Sequence, residues 1–445
     1  MKITRMALSA MIAGACFGGM SSGLQAQTQN PYKSVSYSDA SAPSANCDAT
    51  GCTSSGDSGC NGGCNGGAGS CDGLGCGAGL GLLGNCCLGE PWKLFSGDVN
   101  GWKVGGWSNV GYHTANTNFN FNNYDNRVQL QQQWFWAEKV ADGSCGLGLG
   151  GRIDYLYGTD APDTQAFGIT NNHWDNGWDQ SSTQPQPVGG AFNGYGHAIP
   201  QAYVETAYEN LSVKFGKFFT IIGNEVVAAT GNFFYSRQFT FYNAEPFTHT
   251  GFLSTYNLDD DTQLYNGWVS GWDSGFERNG SGYLGGFKRT LSDSSSILFA
   301  TNLGRIGKEL GEDGTLNSVI YTKGLSDNLT YISQTDVLYT TNGGGGPQRN
   351  TWGNINYLIY KVNDCVSLGQ RFEWFNFGGA GFNNVRNDDL YNYTVGINYR
   401  ASANLMLRPE MRYVWDHNSS GAPFGFLENG KSSQAIFGTD MIFTF

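Results

Sequence analysis

From Trp92 to its C-terminus the chain repeats one pattern: short segments in which apolar and polar residues alternate, joined by connections that are in turn short and long. A period of two is the period of a strand with one buried and one polar face. Sixteen such segments can be read, from Trp102–Tyr112 through Leu211–Phe219, Leu390–Arg400 and Leu405–Trp415 to Gln434–Phe445. The connections of one parity are turn-sized: "KVADGSCG", "EN", "NLDDDTQ", "SDSS", "LSDN", "ND" and "ASAN". Those of the other parity are long: 159–199, 220–246, 273–282, 305–317, 340–350, 376–389 and 416–433. A sandwich or a propeller has no reason to keep that parity. A barrel crossing an outer membrane does, with short turns on the periplasmic side, long loops outside and an even number of strands. The expectation is an all-β, transmembrane, antiparallel up-and-down β-barrel of about sixteen strands (roughly 14–18), both termini periplasmic.

The faces support this. "YNYTVGINYR" sets Tyr391, Tyr393, Val395, Ile397 and Tyr399 against Asn392, Thr394, Gly396, Asn398 and Arg400. "NLMLRPEMRYVWD" sets Leu405, Leu407, Met411, Tyr413 and Trp415 against Arg408, Glu410, Arg412 and Asp416. In a membrane barrel the first set meets lipid and the second a lumen. Trp102, Trp136, Trp272, Tyr391 and Trp415, near strand ends, suit interfacial aromatic girdles. The last strand, "QAIFGTDMIFTF", puts Phe437, Met441, Phe443 and Phe445 on the lipid side, an ending like the signal that barrel-assembly machinery reads. Its other face is not cleanly polar, because Ile436 and Ile442 sit there. Only 14% of residues are charged, against roughly 25% in ordinary globular chains. The net charge of −12 argues against a nucleic-acid partner.

The domain expectation has three parts. Residues 1–26 read as a secretory signal peptide, with Lys2 and Arg5 before an apolar stretch and Ala26 before the cut. An alternative is lipidation at Cys16, although the large aliphatic residue expected three places upstream is missing. Residues 27–90 are polar and then Gly/Cys-rich, a composition that forms no packed core unaided. Cys47, Cys52, Cys60, Cys64, Cys71, Cys76, Cys86 and Cys87 crowd this periplasmic segment. In an exported chain such a cluster reads as disulfides, with a thiolate metal site as the alternative. Residues 91–445 form the barrel, and only Cys145 and Cys365 fall within it.

Enzyme chemistry finds little support. His113, His173, His197, His249 and His417 fall mostly on loops or strand ends, and no hydrolase, zinc or nucleotide motif is present. No catalytic residue, metal or cofactor is expected. Better candidates are the charges on lumen-facing positions: Arg152 and Asp154, Arg371 and Glu373, and the row Arg408, Glu410 and Arg412. Such rows can set ion preference in a pore, or can simply neutralise one another. The connection 220–246, "TIIGNEVVAATGNFFYSRQFTFYNAEP", is too apolar for a solvated loop. Val226, Val227, Phe233, Phe234 and Phe241 want burial. Folding into the lumen would bury them and bring Glu225, Arg237 and Glu245 to the wall charges. The competing reading is a further strand pair, eighteen strands in all.

The same region carries a family resemblance. Gly216–Phe218, Gly223–Glu225, Phe233–Arg237 and His249–Gly251 follow one another in the order of the OmpL-like β-barrel porin family. "RIDYLYGTDA" and "GWVSGWD" are similar to it as well, and the likeness spans roughly residues 90–445. The resemblance implies an outer-membrane channel and transfers no catalytic residue. The expected function is passive diffusion of small hydrophilic solutes or ions through a lumen narrowed by the loop 220–246. The expected partners are outer-membrane lipid, those solutes, the assembly machinery through Phe445 and, as one option, further copies of the chain. The alternative is a barrel that only anchors long, surface-binding loops.

Overall fold

The computed structural model describes residues 88–445 except 96, 118–119, 123, 167–173, 178–193, 277–279, 308–310, 418–425 and 428–430. The expected leader (1–26) and nearly all of the Gly/Cys segment (27–90) lie outside the described residues.

Seventeen strand segments make one sheet. Two of them, Gly196–Ala198 and Ala202–Tyr208, lie end to end along the same neighbour, so together they count as one strand and the total is sixteen. In order these are β1 (Lys103–His113), β2 (Gln129–Lys139), β3 (Gly148–Gly158), β4 (Gly196–Ala198 with Ala202–Tyr208) and β5 (Leu211–Phe219). Next come β6 (Thr248–Asn257), β7 (Thr262–Val269), β8 (Ser281–Ser292), β9 (Ser295–Arg305), β10 (Asp313–Ser326) and β11 (Leu329–Thr341). The last five are β12 (Pro347–Lys361), β13 (Val366–Gly379), β14 (Val385–Arg400), β15 (Leu405–Asp416) and β16 (Ser433–Thr444). Each strand pairs antiparallel with its neighbours in sequence, and β1 also pairs with β16, Trp107 opposite Thr444 and His113 opposite Gly438. The ring is closed, so no strand edge is left with unpaired N–H and C=O groups. None of the described helices is long and apolar enough to cross a membrane.

The alternation sorts the faces as expected. Val204, Phe215, Phe252, Trp268, Trp352, Tyr393, Tyr413 and Phe437 are exposed on the outside. Ile436 and Ile442 point inward and are buried; Ile442 packs with Trp107, Val227 and Ala229. Apolar residues on the inner face are thus covered from within. Trp136 and Trp272 depart from the girdle expectation. Trp136 faces inward with the Arg152 guanidinium 5.2 Å from its ring, and Trp272 is fully buried beside Arg349, 4.1 Å away. Position near a strand end does not tell which face a tryptophan takes. Trp102 is exposed, and Tyr391 stacks on Trp415 at 5.3 Å.

Residues 220–246 form no strand pair. They run as turns, a short 3-10 turn (Ala229–Gly231) and one helix, α1 (Phe239–Ala244). Eighteen strands are therefore not made.

Candidate functional site

The β5–β6 connection lies inside the barrel against β11–β16, β1 and β2. An irregular chain there cannot satisfy its backbone with its own secondary structure, yet buried N–H and C=O groups need partners. The wall supplies them. Glu410 accepts from the backbone N–H groups of Tyr235 (2.9 Å) and Ser236 (3.2 Å). Glu373 accepts from those of Phe239 (3.1 Å) and Thr240 (2.7 Å), and from the Thr240 hydroxyl (2.9 Å). Gln238, the residue before α1, makes no side-chain cap, so a wall carboxylate caps the helix instead. Arg408 donates to the carbonyls of Ala229 (2.9 Å) and Asn232 (2.7 Å) while it holds Asp440 on the next strand by a two-pronged contact of 2.8 and 2.5 Å. Arg371 donates to the Ser236 carbonyl at 2.9 Å and pairs with Glu225 of the loop at 2.5 Å.

The loop also ties itself. Arg237 donates to the carbonyls of Val226 (3.1 Å), Val227 (2.9 Å) and Tyr235 (3.1 Å). Burial in this setting lowers its basicity. Glu245 accepts from Gln334 at 2.6 Å, and the same amide serves Asp336 at 2.5 Å. Burial first, and Asp336 second, hold the Glu245 carboxyl well above the usual carboxylate range. Arg412 lies 4.6 Å from the Phe239 ring and donates to Asn392 at 3.1 Å.

Shape matches charge. Phe233 sits over Gly369, where a β-carbon would lie 2.2 Å from its ring. Phe234 sits over Gly396 at 3.2 Å, Tyr235 over Gly438 and Gly111 at 2.9 Å, and Thr240 over Gly353 at 2.4 Å. Five inward glycines on β1, β12, β13, β14 and β16 thus form seats for three consecutive loop residues, Phe233, Phe234 and Tyr235, and for Thr240 of α1. The apolar residues Val227, Phe233, Phe234 and Phe241 are each at most 5% exposed. Burying each phenylalanine is worth roughly 1.5–3 kcal/mol.

Of the ten sequence candidates, eight meet here: Glu225, Arg237, Glu245, Arg371, Glu373, Arg408, Glu410 and Arg412. The other two stand apart on β3, where Arg152 pairs with Asp154 (2.9 Å) and Glu138 (3.3 Å), and Asp154 accepts from Gln201 (2.7 Å). The spacing of two that puts Arg371 beside Glu373 does not make them each other's partner: the arginine goes to Glu225 and the glutamate to α1. Sequence reading missed the glycine seats, Asp440, Gln334 and Gln132. Gln132 accepts from the Ala229 N–H (2.9 Å) and donates to Val227 O (2.8 Å) and to Asp160 (2.8 Å). Glycine at inward positions of neighbouring strands was the available signal.

Across the lumen the wall differs. Glu205, Lys214, Gln263, Tyr265 and Lys288, on the inner faces of β4, β5, β7 and β8, are only half-buried. Lys214 lies 4.9 Å from the Tyr203 ring. Towards the long-loop rim this wall turns apolar: Leu253, Val269, Leu284, Ala300, Leu316 and Leu338 bury with Ile222 and Phe239 of the loop. The polar part of the lumen is therefore its short-turn half.

Solved structures share the fold. The outer membrane channel DcaP of Acinetobacter baumannii aligns over 77% of this chain and 97% of its own, with TM-score 0.51 at 11% identity. OmpT of Vibrio cholerae, in a form lacking loop L8, aligns over 77% and 99%, with TM-score 0.50 at 12% identity. No curated protein matches the chain. Residues 101–445 match the family described as "Putative beta-barrel porin-2, OmpL-like". A closed sixteen-strand barrel and a family match over most of its length place this chain in that family of outer-membrane porins, a transport protein and not an enzyme.

Proposed function

We propose that the chain is a narrow diffusion channel for ions and the smallest hydrophilic solutes, with its short-turn rim and both termini on the periplasmic side. The observation that carries this reading is that the wall charges and amides which hold the β5–β6 loop lie on one side of the barrel. The loop is bound to β11–β16, β1 and β2, and it leaves half-buried polar side chains on the facing wall. The constriction is the long-loop half of the lumen, where loop and wall pack tightly. Glu225, Arg237, Glu245, Arg371, Glu373, Arg408, Glu410 and Arg412 fix the loop that makes it. Arg152 and Asp154, with Glu138, contribute charge on the wider side. Outward aromatic and aliphatic residues meet lipid, and the β16 strand ending in Phe445 is what the assembly machinery engages.

Planar-bilayer recording on purified, refolded protein tests this. Discrete conductance steps, small for a sixteen-strand barrel, are expected. A folded and inserted barrel without steps overturns the channel reading and leaves a barrel that anchors surface loops.

A further inference from the structure

The Gly/Cys segment is the one sequence feature that the channel does not absorb, and two cysteines of the barrel bear on it. Cys145 and Cys365 are both disulfide-bonded. Cys145 lies in the β2–β3 turn and Cys365 in the β12–β13 turn, both on the short-turn rim. Counted the shorter way round the ring, six strand spacings separate them. Strands about 4.8 Å apart and tilted by about 40° give a sixteen-strand ring roughly 30 Å across. The two turns are then about 30 Å apart, whereas a disulfide needs α-carbons within about 7 Å. They cannot be bonded to each other. Every other cysteine of the chain precedes Leu88.

The approach of the chain to the rim narrows the choice. The Leu88 carbonyl accepts from Ala403 N–H at 2.8 Å. Trp92 exchanges two hydrogen bonds with Asn404, its N–H donating at 2.6 Å and its carbonyl accepting at 2.7 Å. Its ring stacks on Phe443 at 6.0 Å. Residues 88–92 are thereby fixed to the β14–β15 turn. Cys365 is next to that turn, because its carbonyl accepts from Arg400 N–H at 2.7 Å. Cys87 and Cys86 stand one and two residues before Leu88 in the sequence, the shortest tether of any cysteine to this corner of the rim. A span of about 30 Å to Cys145 needs at least about nine extended residues. Cys76 stands ten residues before Cys86, so it and the cysteines upstream of it can reach.

We propose that Cys365 is bonded to Cys86 or Cys87, and Cys145 to one cysteine of the group Cys47–Cys76. The Gly/Cys segment is then stitched to two separated points of the rim. Six cysteines of the cluster remain, an even number. Each bond forms as two thiols give up two protons and two electrons to a protein disulfide donor, which leaves as a dithiol. The cluster's role in this picture is attachment rather than metal binding.

Peptide mapping of the full-length protein, alkylated without reduction, is the test. The Cys145 and Cys365 peptides should each be recovered joined to a different peptide from residues 47–87. A protease site introduced at Gly97 supplies an independent readout. After cleavage the N-terminal fragment should stay with the barrel until reductant is added. In a C145S/C365S variant that keeps its heat-dependent gel mobility, it should leave without reductant in mild urea, which breaks the rim contacts of Leu88 and Trp92. A Cys145–Cys365 peptide, alkylated Cys145 or Cys365, or a link to a second copy of the chain overturns the proposal. So does release of the cut fragment without reductant.

Discussion

The two sides of the inner wall use similar residues for opposite ends. On β11–β16 the charged groups are dry: Arg371, Glu373, Arg408 and Arg412 are at most 3% exposed. They serve as backbone partners for a chain that has no ladder of its own. On the inner faces of β4, β5, β7 and β8, Glu205, Lys214 and Lys288 are only half-buried. The difference follows from what lies opposite. Where the loop brings N–H and C=O groups, a charge is held by several hydrogen bonds and loses its freedom to screen or attract an ion. Where the loop is absent, the charge keeps its field in the water-accessible space. Counting lumen charges therefore does not locate a filter.

Four experiments break or sharpen this contrast. The largest effect is expected from Arg371→Ala. It leaves Glu225 buried without its cation, a loss of about 3–5 kcal/mol in loop docking. Faster amide exchange across 220–246 and larger, noisier conductance should result, and unchanged exchange would show that the loop does not depend on this pair. Gly369→Val fills the seat of Phe233 and should cost about 1–3 kcal/mol by overpacking. A crystal structure of the variant should find Phe233 displaced with the β13 ladder intact.

A smaller effect is a dependence on pH. Asp160, just past β3, accepts from Gln132, which in turn holds the loop. Burial raises its carboxyl to about 7, with Arg237 opposing. Its folded-state value thus lies above its unfolded one, so its contribution to stability is complete below about pH 4 and is lost as pH rises through about 7. Thermal melts should shift downward between pH 5 and pH 8, and Asp160→Asn should flatten that slope. The smallest stability change is expected for Lys214→Gln and Lys288→Gln, within about 0.5 kcal/mol. Their reversal potentials should nevertheless move toward cation preference. The comparison fails if Arg408→Gln, with its loop still docked, moves the potential more than these two do.

The sequence showed the barrel well because a two-sided strand declares its faces one residue at a time. Leu211–Phe219 is read without error and Trp102–Tyr112 within one residue, whereas Leu390–Arg400 misses the start of β14 at Val385. The inward fold of 220–246 was legible from its apolar content, and the family motifs fall on its contacts. Glu225 meets Arg371, Ser236 donates its N–H to Glu410, and a β-carbon at Gly223 would lie 1.8 Å from Glu245. Partnership across strands was not legible. Arg408 belongs with Asp440, thirty-two residues away, through a register that only the closed sheet sets. Arg152 and Asp154 do pair as neighbours on one strand, with Glu138 of β2 as a second partner of the arginine.

Tyr235 carries one more implication. Its ring rests on Gly111 of the first strand and Gly438 of the last, and its hydroxyl meets Gln131 (2.6 Å) and His113 (3.2 Å). These are the strands that close the cylinder. The junction is thus fastened twice, by the ladder from Trp107 to His113 and by one aromatic clasp laid across it from inside. A clasp needs both halves of its bed, so the loop can settle only after the first and last strands have met. Parting those strands again requires Tyr235 to be lifted first.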